Sequence, residues 1–178
     1  LVGSEMCIRD IRHPTSITMR PIPLLSALLT VLSLCGCNSV LDNRIPATAV
    51  NVQFKNTAIW DRYGATGPLD HQRFIKADRL PSGFPYDVSM ATGYGGIMLI
   101  CTANNELRAF DLACPVEVRP TTRIRFDADK IEFICPQCHS TFHIETGMPM
   151  TGEAANRHYA LQSYYIYPTT TGGYAISR

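Results

Sequence analysis

The sequence predicts an all-β fold, an antiparallel β sandwich of small stacked sheets. Three observations carry that expectation. Apolar and polar residues alternate over Val50–Phe54 and over Thr122–Asp127, the period of a strand with one buried face. A short apolar run, Gly96–Thr102, is bounded by Gly95-Gly96 and Asn104-Asn105 and is followed at hairpin distance by Leu107–Asp111. From Val50 onward, no window of a dozen residues carries a helical apolar stripe.

The chain has 178 residues, 46% of them hydrophobic, which suits one domain with a real core. Its formal net charge is +1 and 17% of residues are charged, so there is no basic field to attract nucleic acid. Residues 1–18 lack periodicity and read as a non-native extension in front of Met19-Arg20, so they are set aside from fold reasoning, Cys7 with them. Residues 19–36 read as a signal peptide. Arg20 is followed by an apolar run from Pro23 to Leu34, too short for a bilayer span of about 20 residues but suited to a signal core.

The run ends in Leu34-Cys35-Gly36-Cys37, which resembles the lipobox of bacterial lipoproteins. That resemblance implies cleavage before Cys37, acylation of its thiol and of the new amino terminus, and a bacterial envelope location, with the outer membrane expected. Several acyl chains on one residue hold a protein to a membrane where one chain is marginal. A buried N-terminal helix, or a secretory signal with a coincidental cysteine, is the plainer alternative. From Cys37 onward cations and anions balance at 13 each. Residues 37–49 show no sustained period, contain Pro46 and are expected to be a tether; residues 50–178 form the domain.

Within the domain, Lys130–Ile134 returns from Thr122–Asp127 through the Ala128-Asp129 turn. Ala160–Tyr167 and Gly173–Ser177 form a last pair, joined by a Pro- and Gly-containing turn. Residues 56–90, with Pro68, Pro81 and Pro85, are compatible with a long loop or a helical turn. Cys101, on the apolar run, reads as a buried core residue, and Trp60 with Tyr159, Tyr164, Tyr165 and Tyr167 reads as packing. His71 and His158 stand alone among polar residues, without a site role.

Candidate chemistry is confined to two loops that each follow a predicted strand: Cys114-Pro115-Val116, and Cys135-Pro136-Gln137-Cys138-His139. Two loops at strand ends can converge on one site. Here the sequence resembles a Rieske domain over about Gly95 to Ile176. Such domains carry Cys-x-His and, about twenty residues later, Cys-x-x-His, then an aromatic position and a Gly-x-Pro-x-x-Gly turn. Cys114 and Cys135 fit the two cysteines, Phe142 the aromatic position, Gly147, Pro149 and Gly152 the turn, and Leu161 with Tyr164 the return strand. Arg44-Ile45-Pro46 and Val50-Asn51 also resemble the start of a group of Rieske-like envelope lipoproteins. The matched motifs cover about half of the chain.

The resemblance implies an all-β Rieske-like sandwich and a [2Fe-2S] cluster, in which two cysteines hold one iron and two histidines the other. The ligand positions depart from it. Val116 stands at the first histidine position and cannot bind a metal, and Cys138 stands at the second. The expected ligand set is therefore Cys114, Cys135, Cys138 and His139, with His143 a further candidate, holding an unusual iron-sulfur cluster or one zinc ion. Three other readings bear on these cysteines. Cys135-x-x-Cys138-His139 matches the attachment signature of c-type haem, with Met148 or Met150 as axial ligand. A redox Cys-x-x-Cys needs its first cysteine at a helix start, which Ser140–Ile144 does not supply. Cys114 could form a disulfide with Cys135 or Cys138 in the oxidising envelope.

No Gly-x-Ser-x-Gly, His-Glu-x-x-His or phosphate loop is present, so the chain is not expected to be catalytic on its own. Two functional classes remain: a redox or electron-transfer module with a metal centre, and a non-catalytic structural or binding lipoprotein with a metal-free fold. The expected partners are the membrane, through the anchor, and an unidentified redox or envelope protein.

Overall fold

The computed structural model describes residues 39–178; the 1–18 extension, the 19–36 signal segment and Cys37 lie outside the described residues. Among the described residues no helix is long and apolar enough to cross a membrane.

The architecture is all-β and antiparallel. Strands β1 (Val50–Gln53), β2 (His71–Phe74), β3 (Ala91–Thr92), β4 (Ile97–Cys101), β5 (Leu107–Asp111), β10 (Ser163–Pro168) and β11 (Tyr174–Ser177) form a seven-stranded sheet in the order β2-β4-β5-β10-β11-β1-β3. Strands β6 (Arg125–Asp127), β7 (Glu132–Ile134), β8 (Thr141–His143) and β9 (Pro149–Thr151) form a four-stranded sheet in sequence order. Each alternating or apolar run of the sequence overlaps a strand, although β6 takes only Arg125–Asp127 of its run and β10 begins at Ser163 rather than Ala160. Segment 56–90, left open between loop and helical turn, holds helix α1 (Thr57–Tyr63), β2 and a 3-10 turn at Lys76–Asp78. Asn56 caps α1, its Oδ1 accepting from the Ile59 N–H at 2.9 Å.

β4 explains why there are two cores. All five of its residues are buried, as expected of an apolar run without alternation. Ile97, Leu99 and Cys101 face one cluster and Met98 and Ile100 the other. The first cluster centres on Phe54, fully buried, with edge-on contacts to Trp60 at 4.9 Å, Phe74 at 5.4 Å and Phe84 at 5.5 Å between ring centroids. The second lies between the sheets and gathers Phe110, Phe133 and Phe142 around Leu112, Cys114 and Cys135. Two glycines let it close. A Cβ on Gly147 (φ 69°) would stand 2.7 Å from the Phe110 ring, and one on Gly152 (φ 74°) 2.8 Å from Ser140 Oγ.

The expected tether differs from a free linker over its second half. Leu41 forms a parallel bridge with Tyr159; its N–H donates to His158 O at 2.7 Å and its carbonyl accepts from the Ala160 N–H at 2.9 Å. Ile45 is 2% exposed. Backbone pairing and one buried isoleucine dock this segment without any period for the sequence to display.

Candidate metal centre

Each cysteine loop begins where a strand ends. β5 runs into Leu112, Ala113 and Cys114, and β7 runs directly into Cys135. The two loops have the same backbone turn. The Cys114 carbonyl accepts from the Val118 N–H at 2.9 Å, and the Cys135 carbonyl accepts from the His139 N–H at 3.0 Å. Both closing residues are left-handed, Val118 at φ 50° and His139 at φ 56°. For a β-branched residue that conformation is strained, so the first loop holds its shape against a local cost.

The turns aim backbone donors at sulfur. Amides of Val116 and Glu117 hydrogen-bond Cys114 Sγ, and amides of Gln137 and Cys138 hydrogen-bond Cys135 Sγ. The sulfurs of Cys114, Cys135 and Cys138 all lie within 4.8 Å of one another, with Cys114 Sγ and Cys138 Sγ 3.6 Å apart. Cys114 and Cys135 are fully buried and Cys138 is partly exposed. The Cys135 thiol is pulled down to about 5, chiefly by the hydrogen bond it receives from Cys114 and then by the loop amides, against the opposing effect of burial. Cys114 moves the other way because it keeps the proton it donates and because it is buried. Hydrogen bonds to its ionised form are what lower Cys135.

Side chains that the sequence does not assign to the site fix these loops. Asp111, fully buried three residues before Cys114, accepts from the N–H groups of Tyr94 (2.9 Å), Gly95 (3.0 Å) and Ala113 (2.7 Å) and from the Tyr164 hydroxyl (2.6 Å). The Tyr94 hydroxyl in turn donates to Val118 O at 3.1 Å. Arg44 Nε donates to Pro115 O at 3.5 Å while its guanidinium lies 4.4 Å from the centroid of the Tyr159 ring. On the second loop, Ser140 Oγ accepts from the Ala154 N–H at 3.1 Å and stands 3.4 Å from Cys138 Sγ, whose thiol donates to it. In one sequence an aspartate at a strand end looks like any turn residue, and Arg44 and Tyr164 stand out there only as motif and strand residues, not as partners of these loops.

The expected ligands divide. Cys114, Cys135 and Cys138 come together; His139 is exposed and is not in the group formed by their sulfurs, because its left-handed backbone closes the turn. His143 is exposed, and its Nδ1 accepts from the Glu145 N–H at 3.3 Å. All four described cysteines are free, and Cys101 lies in the first core, away from the site. The haem reading needs both Cys135 and Cys138 sulfurs open to a flat macrocycle, and Cys135 is fully buried. The thioredoxin-like reading needs a helix after Cys135, and a turn and β8 follow instead.

A two-iron cluster needs two donors on each of two irons. Val116 offers no donor, and Cys138 Sγ, at the second histidine position, packs against Cys114 Sγ. The residues present therefore do not complete that cluster. They match one tetrahedral ion better: with metal-sulfur bonds of about 2.3 Å, ligand sulfurs stand about 3.8 Å apart.

No protein-family model matches the sequence, nor does any curated protein. Two solved structures are similar to it. The small subunit of an NADH-dependent nitrite reductase from Mycobacterium tuberculosis is 11% identical, with TM-score 0.41 over 74% of this chain and 97% of that one. The ferredoxin of carbazole 1,9a-dioxygenase from Nocardioides aromaticivorans IC177 is 14% identical, with TM-score 0.39 over 72% of this chain and 96% of that one.

Proposed function

We propose that the chain is a bacterial envelope lipoprotein, anchored through acylated Cys37, whose Rieske-like domain binds a single metal ion through Cys114, Cys135 and Cys138. The observation that supports this reading is the gathering of three sulfurs from two loops within 4.8 Å. Soft thiolates select zinc or iron over hard cations. Zinc is the assignment, because three sulfurs around one point form a face of its preferred tetrahedron and leave a fourth position to an exchangeable ligand. Iron in the same place would make the domain a one-electron carrier. The second reading, a metal-free shell closed by a Cys114–Cys138 disulfide, is favoured by their 3.6 Å separation.

Metal, acid-labile sulfide and free thiols measured on protein expressed anaerobically with iron and zinc test the centre. One zinc per chain, no sulfide, and loss of the ion in Cys135→Ala and in Cys138→Ala is the expected result. Two irons with two sulfides would restore the cluster reading. Trace metal with two of the three thiols oxidised would leave the structural one. For the anchor, mass analysis should find an acylated Cys37, and Cys37→Ser should release the protein from membranes; an unmodified terminus elsewhere in the chain would remove that half of the proposal.

A further inference from the structure

The segment that leads out of the anchor does not run freely to the domain; it lies against the end that carries the cysteines. Leu41 is paired on both sides of its peptide unit with residues 158–160, and Ile45 is buried. Between them Arg44 spans the Tyr159 ring and the Pro115 carbonyl, the residue next to Cys114. A chain reaches at most about 3.6 Å per residue, so a lipid on Cys37 cannot be more than about 14 Å of backbone from Leu41. The second half of the expected tether is thus a strap, and its docking point is beside the first cysteine loop.

From this we infer that the cysteine-bearing end of the domain rests on the lipid bilayer, a consequence of the strap that rests on the anchor reading above. The surface chemistry of the strap suits that occupant. Leu41 is 42% exposed although it is paired, and Arg44 is an exposed cation lying on a tyrosine ring, a combination that places apolar atoms at the acyl boundary and charge among headgroups. The far end of the domain is identified by the same strands. β10 leaves from Gln162, whose Oε1 accepts from Arg178, and Arg178 also donates to the Pro46 carbonyl beyond the strap. The hairpin at Thr169–Gly172 lies at the other end of β10 and β11 and points away from the bilayer. Any ligand that reaches the partly exposed Cys138 then does so at the membrane surface.

The test uses the full acylated protein in vesicles of phosphatidylethanolamine and phosphatidylglycerol carrying a photoreactive headgroup, with cross-linked peptides identified by mass spectrometry. Cross-links are expected on residues 39–44, on Arg157–Tyr159 and on both cysteine loops, at least tenfold above those on the Thr169–Gly172 hairpin. The double variant Leu41→Pro, Arg44→Ala removes the Leu41 N–H and the Arg44 contacts; it should stay membrane-bound and lose the preference for the loops. Equal labelling of hairpin and loops, or a preference unchanged in the double variant, would overturn the inference. A wild-type protein that is acylated but labelled only at residues 39–40 would do the same while leaving the anchor intact. A chain that fails to bind vesicles and lacks acyl mass removes the anchor reading, and the orientation goes with it.

Discussion

The two sheets use aromatic residues differently. Against the seven-stranded sheet, Phe54 touches Trp60, Phe74 and Phe84, and Phe84 also meets Tyr63 and Tyr86, so the rings form a connected cluster. In the four-stranded sheet every strand is three residues long, and β7 and β8 contribute one fully buried ring apiece, Phe133 and Phe142. A sheet of such short strands does not stand by itself. It leans on Met98, Ile100 and Phe110 from the back of the large sheet and on the buried cysteines. One region is held by buried area. The other is a clasp whose open end is the pair of loops that carry the three cysteines.

The largest expected effect tests the first half of that contrast. Phe54→Ala should cost about 3–5 kcal/mol of global stability, the usual loss for a fully buried phenylalanine. Denaturant unfolding should show the same loss with and without bound ion. A loss that disappears when the ion is removed would mean that the large sheet also depends on the centre.

A middle-sized effect concerns the clasp. Removing the ion with a chelator under reducing conditions should raise hydrogen exchange at least about tenfold for amides of β6 to β9 and of the two loops, equivalent to roughly 1.4 kcal/mol of local opening free energy or more. Amides of β1, β4 and β11 should keep their rates. Exchange that rises equally in both sheets would erase the distinction between them.

This contrast also decides what could be read from the sequence. Residues 97–101 and 107–111 were legible because a run buried on both faces and its hairpin partner leave an apolar pattern bounded by turn residues. β2 was not: His71, Gln72 and Arg73 are polar and only Phe74 is buried, so the strand exists by pairing with β4. β3, β8 and β9, at two or three residues, are shorter than any period can reveal. The three cysteines that come together are legible because their spacing resembles a known loop pair. His139 stands outside that group because its left-handed backbone closes the turn, a role its residue type does not reveal. Asp111 and Arg44 act by three-dimensional hydrogen bonding across distances of 53 and 71 residues, which one sequence does not display.

The smallest effect lies at the seam between the regions. Tyr164, on β10, donates to Asp111, which holds the start of the first cysteine loop through three backbone N–H groups. Tyr164→Phe removes one hydrogen bond to a charged acceptor and leaves the others, so stability at neutral pH should fall by about 1.5 kcal/mol. The sign of the pH dependence follows from the ionisation of Tyr164. Burial raises its pKa in the folded protein, and the negative charge of Asp111 and the hydrogen bond to it raise it further. An unfolded tyrosine ionises near about 10. The contribution of Tyr164 is therefore complete below about pH 10 and is lost as pH rises toward the folded value, because the unfolded chain releases the proton first. Tyr86, raised by burial, adds to the same alkaline loss and is untouched by the substitution. Denaturant curves between pH 7 and pH 11 should converge for wild type and Tyr164→Phe as pH rises, the wild type falling more steeply. Parallel curves would show that Tyr164 ionises as freely in the folded protein as in the unfolded chain, and that its bond to Asp111 does not tie the large sheet to the cysteine loop.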